Sequence, residues 1–263
     1  MEALLPAALA IAALMIVVWI ISLVISDASI VDIAWGFGFV VVAWTVRLTV
    51  DGVAARQNLM VALVSIWGLR LAGYLAMRNL GHGEDPRYQA MRRHHGPRFP
   101  IVSLLTVFAL QGVVMFVVSL PVTLGQAADS PTSLGPLAWI GALVWLVGFG
   151  FEAIGDAQMR RFQSDPANNG QVMDRGLWGW TRHPNYFGDA TMWFGLWLIA
   201  LETGWSGVVS VVGPVVMTYF LLNISGKALL ERSIGKRRPG YADYVERTSG
   251  FFPRPPKQST TAG

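Results

Sequence analysis

One short segment holds much of the polar chemistry of this chain. Residues 182–189 read Arg-His-Pro-Asn-Tyr-Phe-Gly-Asp and lead directly into an apolar run that ends at Ala200. A guanidinium, an imidazole, an amide, a phenol and a carboxyl group are costly beside hydrocarbon unless they bind a ligand or one another. We therefore expect this segment to form part of a binding site for a polar ligand.

Carboxyl groups within or beside apolar runs are the second signal. Asp32 stands at the start of one such run, and Glu152, Asp156 and Arg160 are spaced by four on a predicted helix. That spacing places the three side chains on one face. Acidic residues gain little at a positively charged membrane boundary, so a functional role explains them better. Asp32 is suited to donate a proton or to polarise a substrate.

Other polar residues interrupt the apolar runs. Gln111 lies well inside one of them, where an interhelical hydrogen bond explains it as well as a ligand does. Arg70 and Tyr74 are spaced by four and are predicted to line one cavity with Trp67. The four histidines lack the paired helical spacing of a zinc site and the chain has no cysteine. We therefore predict no metal site and no disulfide.

The composition predicts a membrane protein. Of the 263 residues, 53% are hydrophobic and 14% are charged, whereas about 25% are charged in soluble domains. A bilayer is spanned by roughly 20 apolar residues, and no basic residue precedes the first apolar run, which favours a retained helix over a signal peptide. We predict an all-α, polytopic helix bundle of about seven transmembrane segments, at residues 4–25, 30–50, 59–77, 101–124, 134–154, 186–201 and 206–224.

The basic residues predict how the bundle is oriented. Of the 20 Lys and Arg, 17 fall within residues 78–98, 160–182 and 227–257. These segments follow the third, fifth and seventh predicted spans, and positive charge marks the cytoplasmic side. The N-terminus is thus predicted outside and the C-terminus in the cytoplasm. The net charge of +4 reflects this asymmetry and does not indicate nucleic-acid binding.

Several motifs, taken in order along the chain, resemble one family of membrane enzymes. They are Asp-x-x-Trp-Gly at 32–36, Glu-Asp-Pro-Arg-Tyr at 84–88, Glu-x-x-x-Asp at 152–156 and the segment 182–189. Together with Tyr-x-x-Tyr at 241–244 they resemble the bacterial branch of the steroid 5α-reductase family, over about residues 25–253. Isoprenylcysteine-type methyltransferases carry a stretch similar to Arg-His-Pro-x-Tyr, but Asp32 and the 152–156 pair favour the reductases.

The resemblance implies reduction of the C=C bond of an α,β-unsaturated ketone lipid by NADPH. Hydride would reach the β-carbon while an acid polarises the ketone, and the apolar substrate would enter from the bilayer of a bacterial inner membrane. We expect a single, monomeric membrane domain over residues 1–263, with the substrate side mainly in 1–125 and the cofactor half mainly in 134–253. The chain has no Gly-x-Gly-x-x-Gly fingerprint, which excludes a Rossmann domain, and arginines are expected to hold the phosphates.

The resemblance also assigns residues. Asp32 is expected to be the acid, and Trp35, Trp67 and Gln111 are expected to contact the substrate. The family pairs its acid with a Tyr whose position falls near Trp67, and Trp67 has no labile proton to give, so Tyr74 is the expected substitute. The expected cofactor-binding residues are Glu152, Asp156, Arg160, Trp178, Arg182, His183, Asn185, Tyr186, Asp189, Lys227, Glu231, Tyr241 and Tyr244.

Two other functions stay open at this point. A membrane methyltransferase that uses S-adenosylmethionine would also place Arg182, His183 and Tyr186 on a polar cofactor. A transporter or scaffold would need no catalytic residues. A transporter is expected to show repeat symmetry or broken helices at mid-membrane, and the sequence indicates neither. The NADPH-dependent reductase is therefore the leading prediction.

Overall fold

The computed structural model describes residues 2–224 and 240–257. Within these ranges the chain is helical, and its one β-type pairing is an isolated parallel bridge between Thr181 and Ser249. The predicted all-α class is confirmed for this part of the chain. The α-helices are α1 (Leu4–Ile25), α2 (Ile30–Thr49), α3 (Ala54–Asn79), α4 (Pro86–His95), α5 (Phe99–Ser103), α6 (Leu110–Val118), α7 (Leu120–Gln126), α8 (Pro136–Ser164), α9 (Leu177–Trp180), α10 (Pro184–Leu201), α11 (Trp205–Val209), α12 (Val212–Tyr219) and α13 (Tyr241–Arg247).

Several of these helices join into continuous apolar segments. Among the described residues, six segments are long and apolar enough to cross a membrane: Leu4–Ile25, Ile30–Thr49, Ala54–Asn79, Pro86–Val118, Pro136–Ser164 and Trp205–Ile224. This supports a multi-pass membrane protein. The predicted sixth span forms the 18-residue helix α10, which is not one of these six. Seven spans, the orientation of the termini and the bacterial inner membrane therefore stay predictions.

The described chain forms two compact units. The first comprises residues 2–139 and 196–213, and the second comprises residues 140–195, 214–224 and 240–257. Each unit has its own packed helix pair and its own group of polar side chains, described below. The single domain with a substrate half and a cofactor half stays a prediction.

In the first unit, α2 and α3 pack closely through two glycines. A Cβ atom on Gly36 would lie 2.7 Å from the Gly68 carbonyl oxygen, and one on Gly68 would lie 2.5 Å from the Gly36 oxygen. Small residues let helix backbones approach in this way within a membrane. Next to this crossing, the Phe39 ring contacts the rings of Trp35 and Trp67, with centroids 5.1 and 5.5 Å apart. The close approach of the backbones thus holds an aromatic cluster near the start of α2.

In the second unit, α8 and α10 cross in the same manner. A Cβ atom on Gly188 would lie 2.5 Å from both the Glu152 nitrogen and the Gly148 oxygen. One turn further along α8, a Cβ atom on Gly155 would lie 3.2 Å from Pro184 Cγ. Because glycine carries only a hydrogen atom in place of a side chain, the two helix backbones are in direct contact here. This contact brings the acidic face of α8 against the first turns of α10.

Candidate functional site

The crossing of α8 and α10 builds a group of polar side chains that we call the α8–α10 cluster. Its members are Glu152, Asp156, His183, Asn185 and Asp189. The Glu152, Asp156 and His183 side chains are 4%, 6% and 4% exposed, and Asp189 is 9% exposed. Burying ionisable groups is costly unless they are paired or bind a ligand. The sequence predicted each of these residues for the cofactor site, and the structure brings them together.

Two contacts define the geometry within the cluster. The Asn185 side-chain amide donates to Asp156 Oδ1 over 3.2 Å, and Asn185 Oδ1 accepts from the Tyr186 N–H over 3.1 Å. The His183 and Tyr186 rings stack with centroids 5.3 Å apart and planes 1° apart. Helix α10 begins at Pro184, a residue suited to the first helical position. The turn at this proline therefore brings the Asn185 amide to the Asp156 carboxylate of α8, with the two stacked rings on either side of Asn185 in the sequence.

A short loop helix is fastened to α8 beside this cluster. The Trp178 indole N–H donates to the Gly155 carbonyl over 3.0 Å, and Gln158 Oε1 accepts from the Leu177 N–H over 3.0 Å. Gly176 has a φ of +58°, and a Cβ atom there would lie 2.5 Å from the Gln158 side chain. Glycine is required at this position by both its conformation and its surroundings. Trp178, predicted for the cofactor site, is thereby held near Asp156.

The C-terminal helix α13 is tied to the same loop. The Tyr244 hydroxyl donates to the Trp178 carbonyl over 2.6 Å. Burial raises the pKa of Tyr244, as does the neighbouring Tyr241, so the hydroxyl remains a donor at neutral pH. The Arg182 guanidinium donates to the carbonyls of Val245 and Thr248 over 3.0 and 2.7 Å. Arg182, expected to bind a cofactor, thus also anchors the chain that follows α13.

The first unit holds a second polar group, around the predicted acid. The Tyr88 hydroxyl donates to Asp32 Oδ1 over 3.1 Å, and Arg87 Nη2 contacts Asp32 Oδ2 at 3.2 Å. We call these three residues the Asp32 group. Arg87 and Tyr88 belong to the motif at 84–88, but the sequence assigned neither of them a role. The available signal was the Asp-Pro pair at 85–86, which is typical of a helix start, followed two residues later by Tyr88.

The start of α4 positions the Asp32 group. Asp85 caps the helix by accepting from the Arg87 backbone N–H over 2.9 Å, and it also accepts from Arg87 Nε over 2.9 Å. Pro86 occupies the first helical position. Burial raises the pKa of Asp85, but the two bonds from Arg87 lower it further, so the carboxyl is held below its usual pKa. The ionised cap therefore aims Arg87 at Asp32.

A neighbouring carboxylate ties this region to the loop before α2. Glu84 Oε1 accepts from the Ala28 N–H over 2.9 Å, and the Arg92 guanidinium donates to both Glu84 oxygens over 3.0 and 2.8 Å. Burial raises the pKa of Glu84, but the bonds from Arg92 and Ala28 outweigh it and hold that pKa below its usual range. The Arg92 guanidinium also lies 4.2 Å from the Phe99 ring centroid. This bidentate pair fixes the approach of α4 to the start of α2.

Comparison with known proteins assigns the family of this chain. The sequence profile described as "Protein of unknown function (DUF1295)" matches residues 18–248. The chain belongs to the DUF1295 family. An uncharacterised protein of Schizosaccharomyces pombe is 23% identical, over 90% of this chain and 76% of its own length. A Delta(14)-sterol reductase of Gibberella zeae is 33% identical, over 29% of this chain and 18% of its own. No solved structure matches the chain.

These relatives support a less specific assignment than the resemblance to the steroid 5α-reductases. Part of this DUF1295 member is similar to a sterol reductase, while the steroid 5α-reductase assignment stays a prediction. The match covers 18% of that reductase, so its activity as a whole is not carried over. The family profile, in contrast, covers most of the chain, including both polar groups.

Several other predicted residues of this DUF1295 member lie outside the contacts that define the two groups above. Arg160 is exposed, and the described residues give its side chain no polar partner. Gln111 and Trp35 are half-buried, and Trp67 is 2% exposed. The Tyr74 ring contacts the guanidinium groups of Arg70 and Arg78. The roles of these residues stay predictions. Lys227 and Glu231 lie outside the described residues.

Within the part of the chain that the structure describes, no group of three or more His, Asp or Glu side chains has a geometry that would hold a metal ion.

Proposed function

We propose that this protein is an NADPH-dependent reductase of the C=C bond in α,β-unsaturated ketone lipids, similar to the steroid 5α-reductases. The observation that carries the proposal is the Asp32 group, in which a carboxylate, a phenol and a guanidinium converge within a membrane-embedded unit. Hydrogen-bond donors held in place where negative charge develops are what enolate formation needs. The partial similarity to a sterol reductase supports the same class of reaction.

The α8–α10 cluster fits a dinucleotide by the chemistry of its side chains. The Asp156 carboxylate with its Asn185 amide partner suits ribose hydroxyls and a carboxamide, each of which needs both donors and acceptors. The stacked His183 and Tyr186 rings offer a flat surface to an aromatic base. Exposed arginines at the end of α8, Arg160 and Arg161, suit phosphates. In this proposal these residues hold NADPH, which supplies the hydride.

The residues of the Asp32 group then act on the ketone. Asp32 accepts from the Tyr88 hydroxyl and from Arg87, so it orients both donors. We propose that the ketone oxygen accepts a hydrogen bond from this donor set, with Asp32 and Tyr88 acting as the acid pair. The developing enolate is stabilised there, and the α-carbon then takes a proton from solvent. This assigns to Tyr88 the role that the sequence gave to Tyr74.

The activity is tested with purified protein, NADPH and a 3-oxo-4-ene steroid. The expected product is heavier by two hydrogens, and deuterium from 4-deuterated NADPH appears on the β-carbon. The saturated ketone serves as a control that consumes no NADPH. Absence of turnover with steroid and non-steroid enones alike would contradict the reductase assignment.

A further inference from the structure

A cleft between α2 and α3 lies away from both polar groups described above. It has a volume of about 570 Å³ and is lined by Trp44, Arg47, Leu48, Asn58, Val61, Ala62, Ser65 and Ile66. Small-molecule sites commonly measure about 300–1,000 Å³. All of the lining residues belong to the first unit. The cleft is therefore a property of one helix pair and does not depend on the second unit.

The polar groups of the cleft form two pairs, of which the Arg47–Asn58 pair lies at the end of α2. Arg47 stands in the last turn of α2, and its Nε donates to Asn58 Oδ1 over 3.1 Å. The Trp44 indole N–H donates to Ser65 Oγ over 3.1 Å. Within the described residues, Arg47 has no carboxylate partner. A guanidinium at the end of a spanning helix stands at the level of lipid headgroups, where tryptophan is also enriched.

Most of the apolar lining faces outward, with the exception of Val61, which is 5% exposed. Leu48 and Ile66 are 74% and 53% exposed, and Trp44 is 46% exposed. These side chains lie on helices long enough to cross a membrane, so their exposed faces meet acyl chains. A cation at the interface end matches the anionic headgroup of a phospholipid, and a hydrocarbon channel along the helices matches its acyl chains.

We propose that the α2–α3 cleft binds a glycerophospholipid, with the phosphate on Arg47 and one acyl chain along Ala62 and Ile66. The guanidinium supplies charge-assisted, bidentate bonds to phosphate oxygens. The Trp44 indole packs against the glycerol region, a position that aromatic belts occupy at membrane interfaces. The site is independent of the proposed reduction.

Native mass spectrometry of the full chain in detergent tests the site, with phosphatidylglycerol as the probe. Arg47→Met is expected to weaken lipid retention about tenfold or more, because one charge-assisted contact is lost, whereas Arg47→Lys keeps most of it. Ala62→Trp fills the channel and is expected to release the lipid. The matched control is Leu69→Trp, which changes an exposed apolar position of α3 outside the cleft.

Two further probes distinguish a phospholipid from free phosphate as the ligand of the cleft. Diacylglycerol, which lacks the phosphate, and inorganic phosphate, which lacks the chains, are each expected to bind far more weakly than phosphatidylglycerol. Equal lipid retention by wild type and Arg47→Met, with unchanged melting temperatures, would overturn the proposal. So would retention that Ala62→Trp leaves intact, or binding of inorganic phosphate alone as tight as that of the lipid.

Discussion

The carboxylates of the two polar groups of this protein differ in their exposure to solvent. In the first unit, Asp32 is paired with a cation and a phenol, and its side chain and that of Arg87 are 24% and 52% exposed. In the second unit, Asp156 is 6% exposed and accepts from the Asn185 amide. The first carboxylate is therefore partly exposed beside two donors, of which Tyr88 is 8% exposed, while the second is buried and backed by two touching helices.

Under the proposed function, the two groups have different tasks. Donors beside a partly exposed carboxylate can turn from Asp32 toward a substrate oxygen and return, so they suit a step in which charge appears and disappears. A rigid wall of buried polar groups suits a ligand that is bound in the same way throughout a cycle. The comparison predicts that changes in the Asp32 group lower turnover, whereas changes in the α8–α10 cluster lower cofactor affinity or stability.

Replacing Tyr88 with Phe should have the largest effect. The change removes the hydroxyl that donates to Asp32 and is expected to lower kcat about 100-fold, a typical contribution of a positioned acid. NADPH affinity should stay unchanged. The measurement is NADPH-dependent steroid reduction together with nucleotide titration. Tyr219→Phe is the matched control, since Tyr219 is 55% exposed; equal kcat in both variants would remove Tyr88 from the reaction.

The next largest effect is expected from a substitution at the α8–α10 crossing. Gly188→Ala places a methyl group 2.5 Å from backbone atoms of α8, and such overpacking costs about 1–3 kcal/mol. We expect a lower apparent melting temperature in detergent. The control is Gly150→Ala in α8, where a Cβ atom meets nothing within 4 Å and alanine favours the helix. If the two variants melt alike, the rigid crossing is not what supports the cluster.

The smallest effect is expected on the stability of the fold at low pH, where Glu84 becomes protonated. Its folded-state pKa is depressed, so its pairing stabilises the protein above the unfolded-state pKa of about 4.3 and this contribution fades as pH falls further. Glu84→Gln is therefore expected to lower the melting temperature at pH 7, by an amount corresponding to on the order of 1 kcal/mol, and much less below pH 4. Glu246→Gln, an exposed glutamate of α13, is the control. A difference that is constant with pH would show that ionisation of Glu84 does not stabilise the fold.

The first helices and the shared face of Glu152 and Asp156 could be predicted from the sequence because both depend on local signals. Apolar runs define α1 to α3, and the spacing of Glu152 and Asp156 places both on one helix face. The partner of Asp32 has no such signal, because Tyr88 is 56 residues away and reaches it through the fold. The bonds that Arg182 makes in the structure are also invisible in sequence, since its partners are the backbone carbonyls of Val245 and Thr248.

The close helix crossings also could not be predicted from the sequence, because they depend on which glycines face each other. Gly36 and Gly68 are separated along the chain, and only the packed helices reveal that each occupies the other's side-chain space. The same holds for Gly148 and Gly188. A single sequence does not show which of its glycines are required for helix packing. The crossings of α2 with α3 and of α8 with α10 therefore emerged from the structure alone.

The central claim is that the α8–α10 cluster binds NADPH. Its most direct test is to purify the protein in mild detergent and identify the retained nucleotide by mass spectrometry, for wild type and for Asp156→Asn. We predict NADPH or NADP⁺ on the wild type, about tenfold weaker retention by Asp156→Asn, and unchanged retention by Asp51→Asn, an exposed control in the first unit. Recovery of S-adenosylmethionine in place of NADPH would contradict the account and favour the methyltransferase.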